Sequence, residues 1–316
     1  MKNSILILFF CSFSVLYSQK KLRKEFSFQT DNDYYISISK DRYYTNGIFL
    51  TYRYLSKNTT KKLEKKILEC KIGHQMFTPY KVEVTDVSMH DRPFASYLYG
   101  SFGIHRIYPN NQIFITSLQL GMIGPAAFGK ELQDAIHTIR GFVKAEGWKH
   151  QIKNAFGLNL QASYQKLIIT DPSNHFDLTW NNSAKVGTVF TNISSGFLGR
   201  MSFYPLQEMM NSIAFNTSIN DHFSKYHNEQ EVFFYLKTHF NYTLYDATIQ
   251  GSFLNTGSEV TKKLIREYMS LEFGLRFSIH RFNFGYAYHL NGRKSKDLRY
   301  KNANYFGSIQ LNYLFN

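Results

Sequence analysis

The C-terminal part of the chain alternates with a period of two. Between residues 266 and 279, Met269, Leu271, Phe273, Leu275, Phe277 and Ile279 share one face, opposite Arg266, Tyr268, Ser270, Glu272, Gly274, Arg276 and Ser278. Residues 281–290 set Phe282, Phe284, Tyr286, Tyr288 and Leu290 against Arg281, Asn283, Gly285, Ala287 and His289. The last segment sets Tyr305, Ile309, Leu311, Tyr313 and Phe315 against Asn304, Ser308, Gln310 and Asn312. This is the period of extended strands, not of helices. A soluble sandwich shares such alternation. Long segments with one aromatic face and one polar face suit better a transmembrane barrel with lipid outside and a polar lumen.

Further strands are expected at about 22–31, 46–55, 66–77, 94–107, 112–122, 153–169, 175–190, 193–205 and 231–244. With the three above, the count is about twelve, and an even count suits a bacterial outer-membrane barrel. Residues 206–230 are weakly patterned and receive no element. Residues 128–140 break the rhythm and read as an amphipathic helix with Leu132, Ile136 and Ile139 on one stripe and Gln133, His137 and Arg140 on another. Gly141 stops it.

Lys2 followed by the apolar run 5–17 reads as a secretory signal ending near Ser18, leaving 19–316 as one barrel domain. A lipoprotein reading of Cys11 is disfavoured by bulky Phe9 and Phe10 before it. Cys70 is then the only cysteine, and no intramolecular disulfide can form. The 29 Phe and 23 Tyr residues fit a lipid-facing wall with interfacial aromatic girdles. A formal charge of +14 calls for anionic partners such as lipopolysaccharide phosphates. No nucleic-acid module is present. The cluster Lys57, Lys61, Lys62, Lys65 and Lys66 reads as a solvated turn.

Polar residues gather at the first strand junction, in Asp31-Asn32-Asp33 and in Asp41-Arg42-Tyr43-Tyr44-Thr45-Asn46-Gly47. Asn32 and Asp33 offer hard oxygens to a divalent cation such as calcium, or else cap their own turn. Thr45 offers a hydroxyl to a metal, a water or an oxyanion, or else is an ordinary strand residue. Strict alternation puts it on the face of Thr51 and Arg53, toward the lumen. His137 is a candidate general base with Gln133 one turn away, or else a surface histidine. Arg92, in Asp91-Arg92-Pro93-Phe94, either holds a phosphate or pairs with Asp91 and braces the rim. Lys81 is a candidate oxyanion donor among many lysines. No GxSxG, HExxH or CxxC element occurs, which leaves an activated water as the nucleophile.

These motifs together resemble the outer-membrane lipid A 3′-O-deacylase family. The resemblance is carried by Asn32-Asp33, the segment 41–47, Asp91-Arg92-Pro93-Phe94, Gly121-Met122-Ile123-Gly124-Pro125, Gln133 with His137, and Gly147-Trp148 with Gln151. It implies an all-β, 12-stranded antiparallel outer-membrane barrel, monomeric, with a short helix in an extracellular loop and the site at the extracellular rim. It implies calcium-dependent removal of the 3′-linked acyloxyacyl chain from lipid A. His137 would be the base, Asn32, Asp33 and Thr45 the metal and carbonyl-polarising set, and Gln133 the base's neighbour. An outer-membrane phospholipase and a non-enzymatic porin or binding barrel are the alternatives.

Overall fold

The computed structural model describes residues 22–36, 42–57, 60, 62–83, 85–141, 145–221, 230–300 and 304–316. The signal segment, Cys11, Asp41 and Lys61 lie outside them. Twelve strands follow one another: β1 (Lys24–Asn32), β2 (Tyr43–Leu55), β3 (Lys65–Thr78), β4 (Ala95–Tyr108), β5 (Gln112–Ile123), β6 (Ala155–Thr170), β7 (Phe176–Gly187), β8 (Phe190–Met201), β9 (Gln230–Asp246), β10 (Glu267–Ile279), β11 (Phe282–Asn291) and β12 (Asn304–Phe315). Each pairs antiparallel with its neighbours in sequence. The sheet closes where β1 meets β12, from Lys24 opposite Phe315 to Asn32 opposite Gly307. Closure leaves no open edge, so every strand can satisfy its backbone without water.

The alternation read from the sequence is realised. Phe26, Leu50, Ile72, Phe102, Phe273 and Leu311 stand exposed on the outer wall, while Ser27, Thr51, Asn283 and Asn312 are buried inside. Cys70 is free and exposed. No helix among the described residues is long and apolar enough to cross a membrane, and here the strands supply the spanning surface. The helix α1 (Gly129–Arg140) lies in the β5–β6 connection, and α2 (Ala247–Gln250) follows β9.

The lumen is filled from both ends. At the end where β1 starts and β12 finishes, the β8–β9 connection folds into the barrel, with Met209, Met210, Phe215 and Ile219 packing against Leu55, Ile67, Ile107 and Ile113. The Lys65 ammonium holds this plug by donating to Met210 O at 2.5 Å, Asn211 Oδ1 at 2.8 Å, Thr217 O at 3.0 Å and Ile219 O at 3.2 Å. Lys65 is thus buried, not part of the solvated turn expected for it; its strand position points the ammonium at a ring of backbone carbonyls. Arg200 binds Asp177 and Glu231 on the wall and Ser212 and Gln207 O on the plug. At the other end, Tyr44, Phe77, Tyr97, Tyr99 and Ile123 form an aromatic core. Between the two lies a polar cavity of about 300 Å³ lined by residues such as Gln29, Tyr235, Glu272, Arg276 and His289.

Two outcomes are expected. The purified barrel should show no stepwise conductance in planar bilayers; open-channel steps would show that the plug leaves the lumen. Arg200→Ala leaves Asp177 and Glu231 buried without their counter-charge, a loss of about 3–5 kcal/mol. It should lower the temperature at which the heat-modifiable gel shift is lost.

Candidate active site

The β1–β2 corner divides its residues between two faces of the wall. Asp31 pairs with Gly47 and Ser308 and turns into the lumen. Its carboxylate accepts from Tyr44 Oη at 2.8 Å, Ser308 Oγ at 2.7 Å and Gln29 Nε2 at 2.9 Å. One residue on, Asn32 is opposite Asn46, on the outward alternation of both strands. Asn32 caps a 3-10 turn, its Oδ1 accepting from Tyr34 N–H at 2.7 Å, which leaves that oxygen a second lone pair. Asp33 is buried and accepts from Arg42 N–H at 2.8 Å.

β2 contains a bulge. β3 pairs Phe77 with Tyr44 and Met76 with Asn46, which leaves Thr45 as the extra, unpaired residue. The strict alternation that aligned Thr45 with Thr51 and Arg53 therefore breaks just where it was applied. Thr45 and Asn46 are both buried, and Thr45 Oγ1 and Asn46 Oδ1 have no hydrogen-bond partner among the described residues. Tyr44 enters the bulge from the lumen by crossing over Gly47 to reach Asp31. A Cβ on Gly47 would lie 2.2 Å from Tyr44 Oη and 3.1 Å from Asp31 Oδ2. This is the physical reason for glycine after Thr45-Asn46.

On the neighbouring strands, His74, Met76 and Ser96 occupy outward positions yet are buried. The β5–β6 connection covers them. His74 Nε2 meets Ala127 O at 2.7 Å, Ser96 Oγ donates to Gly124 O at 3.1 Å, and Ile152 N–H donates to Phe94 O at 2.9 Å. Helix α1 is laid on the outside of the barrel by these contacts. It starts at Gly129, where a Cβ would lie 2.5 Å from Ser96 Cβ and 2.6 Å from the Trp148 ring. It ends at Gly141, whose left-handed backbone closes it with bonds to His137 O and Thr138 O.

The face that α1 turns inward is its polar stripe. Gln133 and His137 are buried, whereas Ile139, assigned to the apolar stripe, is 85% exposed. Leu132 and Ile136 flank them and pack on Met76, Val82, Phe94 and Trp148. The Trp148 indole donates to Gln133 Oε1 at 2.5 Å. Because an indole N–H can only donate, Gln133 Oε1 is the acceptor in this bond. Met76 ties the parts together. It is the register partner of Asn46 and touches the α1 cluster, so Asn32, Thr45 and Asn46 share one flank of the wall with Gln133 and His137.

The remaining candidates, Arg92 and Lys81, both lie in the β3–β4 connection. Arg92 is buried, donates to Thr248 Oγ1 at 2.8 Å and lies 4.3 Å over the Phe77 ring. Burial pushes its guanidinium down to about 10. These are the contacts of the bracing alternative. Lys81 is exposed, next to Val82 in the α1 cluster. Sequence reasoning gave no role to Asn46, Met76 or His74, and the only signal for Asn46 was its place between Thr45 and Gly47.

The chemistry available is an imidazole, amide donors, and buried oxygens lacking partners. No group of three or more His, Cys, Asp or Glu that could hold a metal occurs among the described residues. The candidate cation donors are one carboxylate, Asp33, and the neutral oxygens of Asn32, Thr45 and Asn46. The orphaned Thr45 Oγ1 and Asn46 Oδ1 fit a hard cation such as calcium. Gly129→Ala should lift α1 from the wall and expose Trp148. In a Trp180→Phe background its emission should shift to the red with the barrel still heat-modifiable; an unshifted spectrum would mean the helix does not depend on that contact.

The family described as Outer membrane protein LpxR matches residues 5–315. Among solved structures, LpxR from Salmonella typhimurium superposes with a TM-score of 0.73 at 17% identity, over 92% of this chain and 100% of that one. The β domain of the Bordetella autotransporter Brka gives a TM-score of 0.47 at 8% identity, over 94% of this chain and 99% of that one. No curated protein matches the sequence. With a match spanning almost its whole length, the chain belongs to the outer membrane protein LpxR family.

Proposed function

We infer that this outer-membrane barrel is a calcium-dependent lipid A 3′-O-deacylase whose site faces the extracellular side. The observation that carries the reading is the inward polar stripe of α1, Gln133 and His137, closed over the outer wall beside the Thr45 bulge. A site on the outside of the barrel opens sideways onto lipid, where a glycolipid's ester can reach it without leaving the membrane. The connections support this orientation. The start of β1, the end of β12 and most of the short turns lie at one end, and such turns are periplasmic in barrels of this kind. The end with α1 then faces out.

In this reading His137 takes a proton from water as the oxygen attacks the 3′-ester carbonyl. The carbonyl π pair moves to oxygen, Lys81 at the rim donates to the oxyanion, and Gln133 stands beside the base. Collapse breaks the ester C–O bond, and His137 returns its proton to the departing sugar hydroxyl. Asp33, Asn32, Thr45 and Asn46 would hold calcium, which when bound supplies Lewis-acid polarisation of the carbonyl. A single carboxylate in the set fits weak binding, with half-saturation at about 0.1–1 mM.

The test is mass spectrometry of lipid A from cells expressing the chain or His137→Ala. The intact chain should remove the 3′-linked acyloxyacyl group, and the variant should lose at least about 100-fold of the activity. Lipid A left unchanged by a folded, calcium-supplied barrel would overturn the reading, and release of fatty acid from phospholipid instead would favour a phospholipase. Chelation should silence the purified barrel and calcium restore it; activity indifferent to chelator would remove the cation.

A further inference from the structure

Two arginines that this mechanism does not use are held in a built tier at the α1 end of the barrel. Arg42 stacks on Tyr300, its guanidinium carbon 4.2 Å from the ring centre, and Arg299 stacks on Tyr80 at 4.3 Å. The two rings are 6.1 Å apart and tilted by 59°. Buried Asp91 fixes the backbone beneath them. It accepts from Tyr80 N–H, Arg299 N–H and Tyr43 Oη, each at 2.9 Å, and Tyr43 Oη in turn accepts from Tyr300 N–H at 2.9 Å. The tier adjoins the candidate site directly, because Arg42 N–H is the donor to Asp33.

Asp91 is thereby occupied by a phenol and two backbone amides, and no ion pair holds either guanidinium among the described residues. Among the described residues Arg42 Nε is buried without a hydrogen-bond partner, and Arg299 and Lys81, beside Tyr80, are exposed. Stacking fixes a guanidinium plane while leaving its N–H edge to bind, and that edge matches the two oxygens of a phosphate. Preorganised forks of this kind differ from the flexible lysines elsewhere on the surface, which attract anions without placing them.

We propose that Arg42 and Arg299, stacked on Tyr300 and Tyr80 beside Asp33, form a subsite for a phosphate on the sugar headgroup of the glycolipid. The proposal rests on the glycolipid reading above and adds the group that the headgroup end of the cleft grips. It makes the sugar phosphate a handle that sets the ester's position over Asp33 and His137.

The test uses the full barrel in detergent with calcium, acting on lipid A and on the same lipid after enzymatic removal of its phosphates. For the wild type, dephosphorylation should raise KM about tenfold or more with kcat little changed. Arg42→Gln with Arg299→Gln should raise KM by a similar factor on the phosphorylated lipid and add nothing on the dephosphorylated one. The double lysine variant, which keeps charge but loses the stacked fork, should fall between. Equal KM for the two lipids, or an equal rise on both in the variant, overturns the subsite. Inorganic phosphate separates the sources of anion: arginine-dependent inhibition by the free ion, without preference between the lipids, overturns the headgroup assignment. If neither lipid is hydrolysed, the catalytic reading has failed, and capture of the barrel on immobilised lipid A decides the subsite alone. Phosphate-dependent capture lost in the double glutamine variant supports it, and capture indifferent to phosphate overturns it.

Discussion

The bond from Tyr44 to Asp31 ties β2 to β1 on the lumen side of the barrel wall. A closed antiparallel barrel has a wall one strand thick, so consecutive residues answer to different solvents. Asp31 belongs to the lumen network of Gln29, Ser308 and His289, and Asn32 and Asp33 belong to the rim. Tyr44 is pulled inward to Asp31 across a glycine, and the strand accommodates the reach by bulging at the next residue. The bulge leaves two oxygens, on Thr45 and Asn46, without partners among the described residues. A buried polar atom left in that state costs about 1–3 kcal/mol. The packing that enforces it is the aromatic core of Tyr44, Phe77 and Phe306 at this end of the barrel.

The helix obeys the same logic from outside. An amphipathic helix on a protein surface ordinarily buries its apolar stripe. Here the wall beneath α1 is itself mixed, with Met76 beside Ser96 and His74, and the helix answers with Leu132 and Ile136 around Gln133 and His137. Trp148 supplies both the apolar contact and the donor that satisfies Gln133. Ile139 is left on the outer surface.

What could be read in the sequence follows from what periodicity encodes. All twelve strands were legible because each must present lipid on one side and a filled lumen on the other, and their ends moved by only a few residues. The helix and its glycine stop were legible for the same kind of reason. Residues 206–221 were not. They form a plug whose backbone carbonyls are satisfied by Lys65 and whose side chains pack irregularly into the end of the barrel, a role with no period. Lys65 misled because its partners lie about 150 residues away in sequence. Of the site, the motif residues were visible, but the bulge was not. A bulge is a matter of register between two strands, and a single strand's pattern does not contain it.

The filled lumen and the outside site are two consequences of one arrangement. A barrel that spans a membrane must do something with its interior, and this one closes it with ion pairs around Arg53 and Arg200 and with apolar cores at both ends. Rigid packing inside removes the lumen as a route for solute. It also makes the wall stiff enough to hold a bulge and a docked helix in register on its outer surface. In the proposed function, chemistry presented on that surface would meet its substrate in the plane of the membrane, and the cations stacked at the rim would meet the part of it that stands in water.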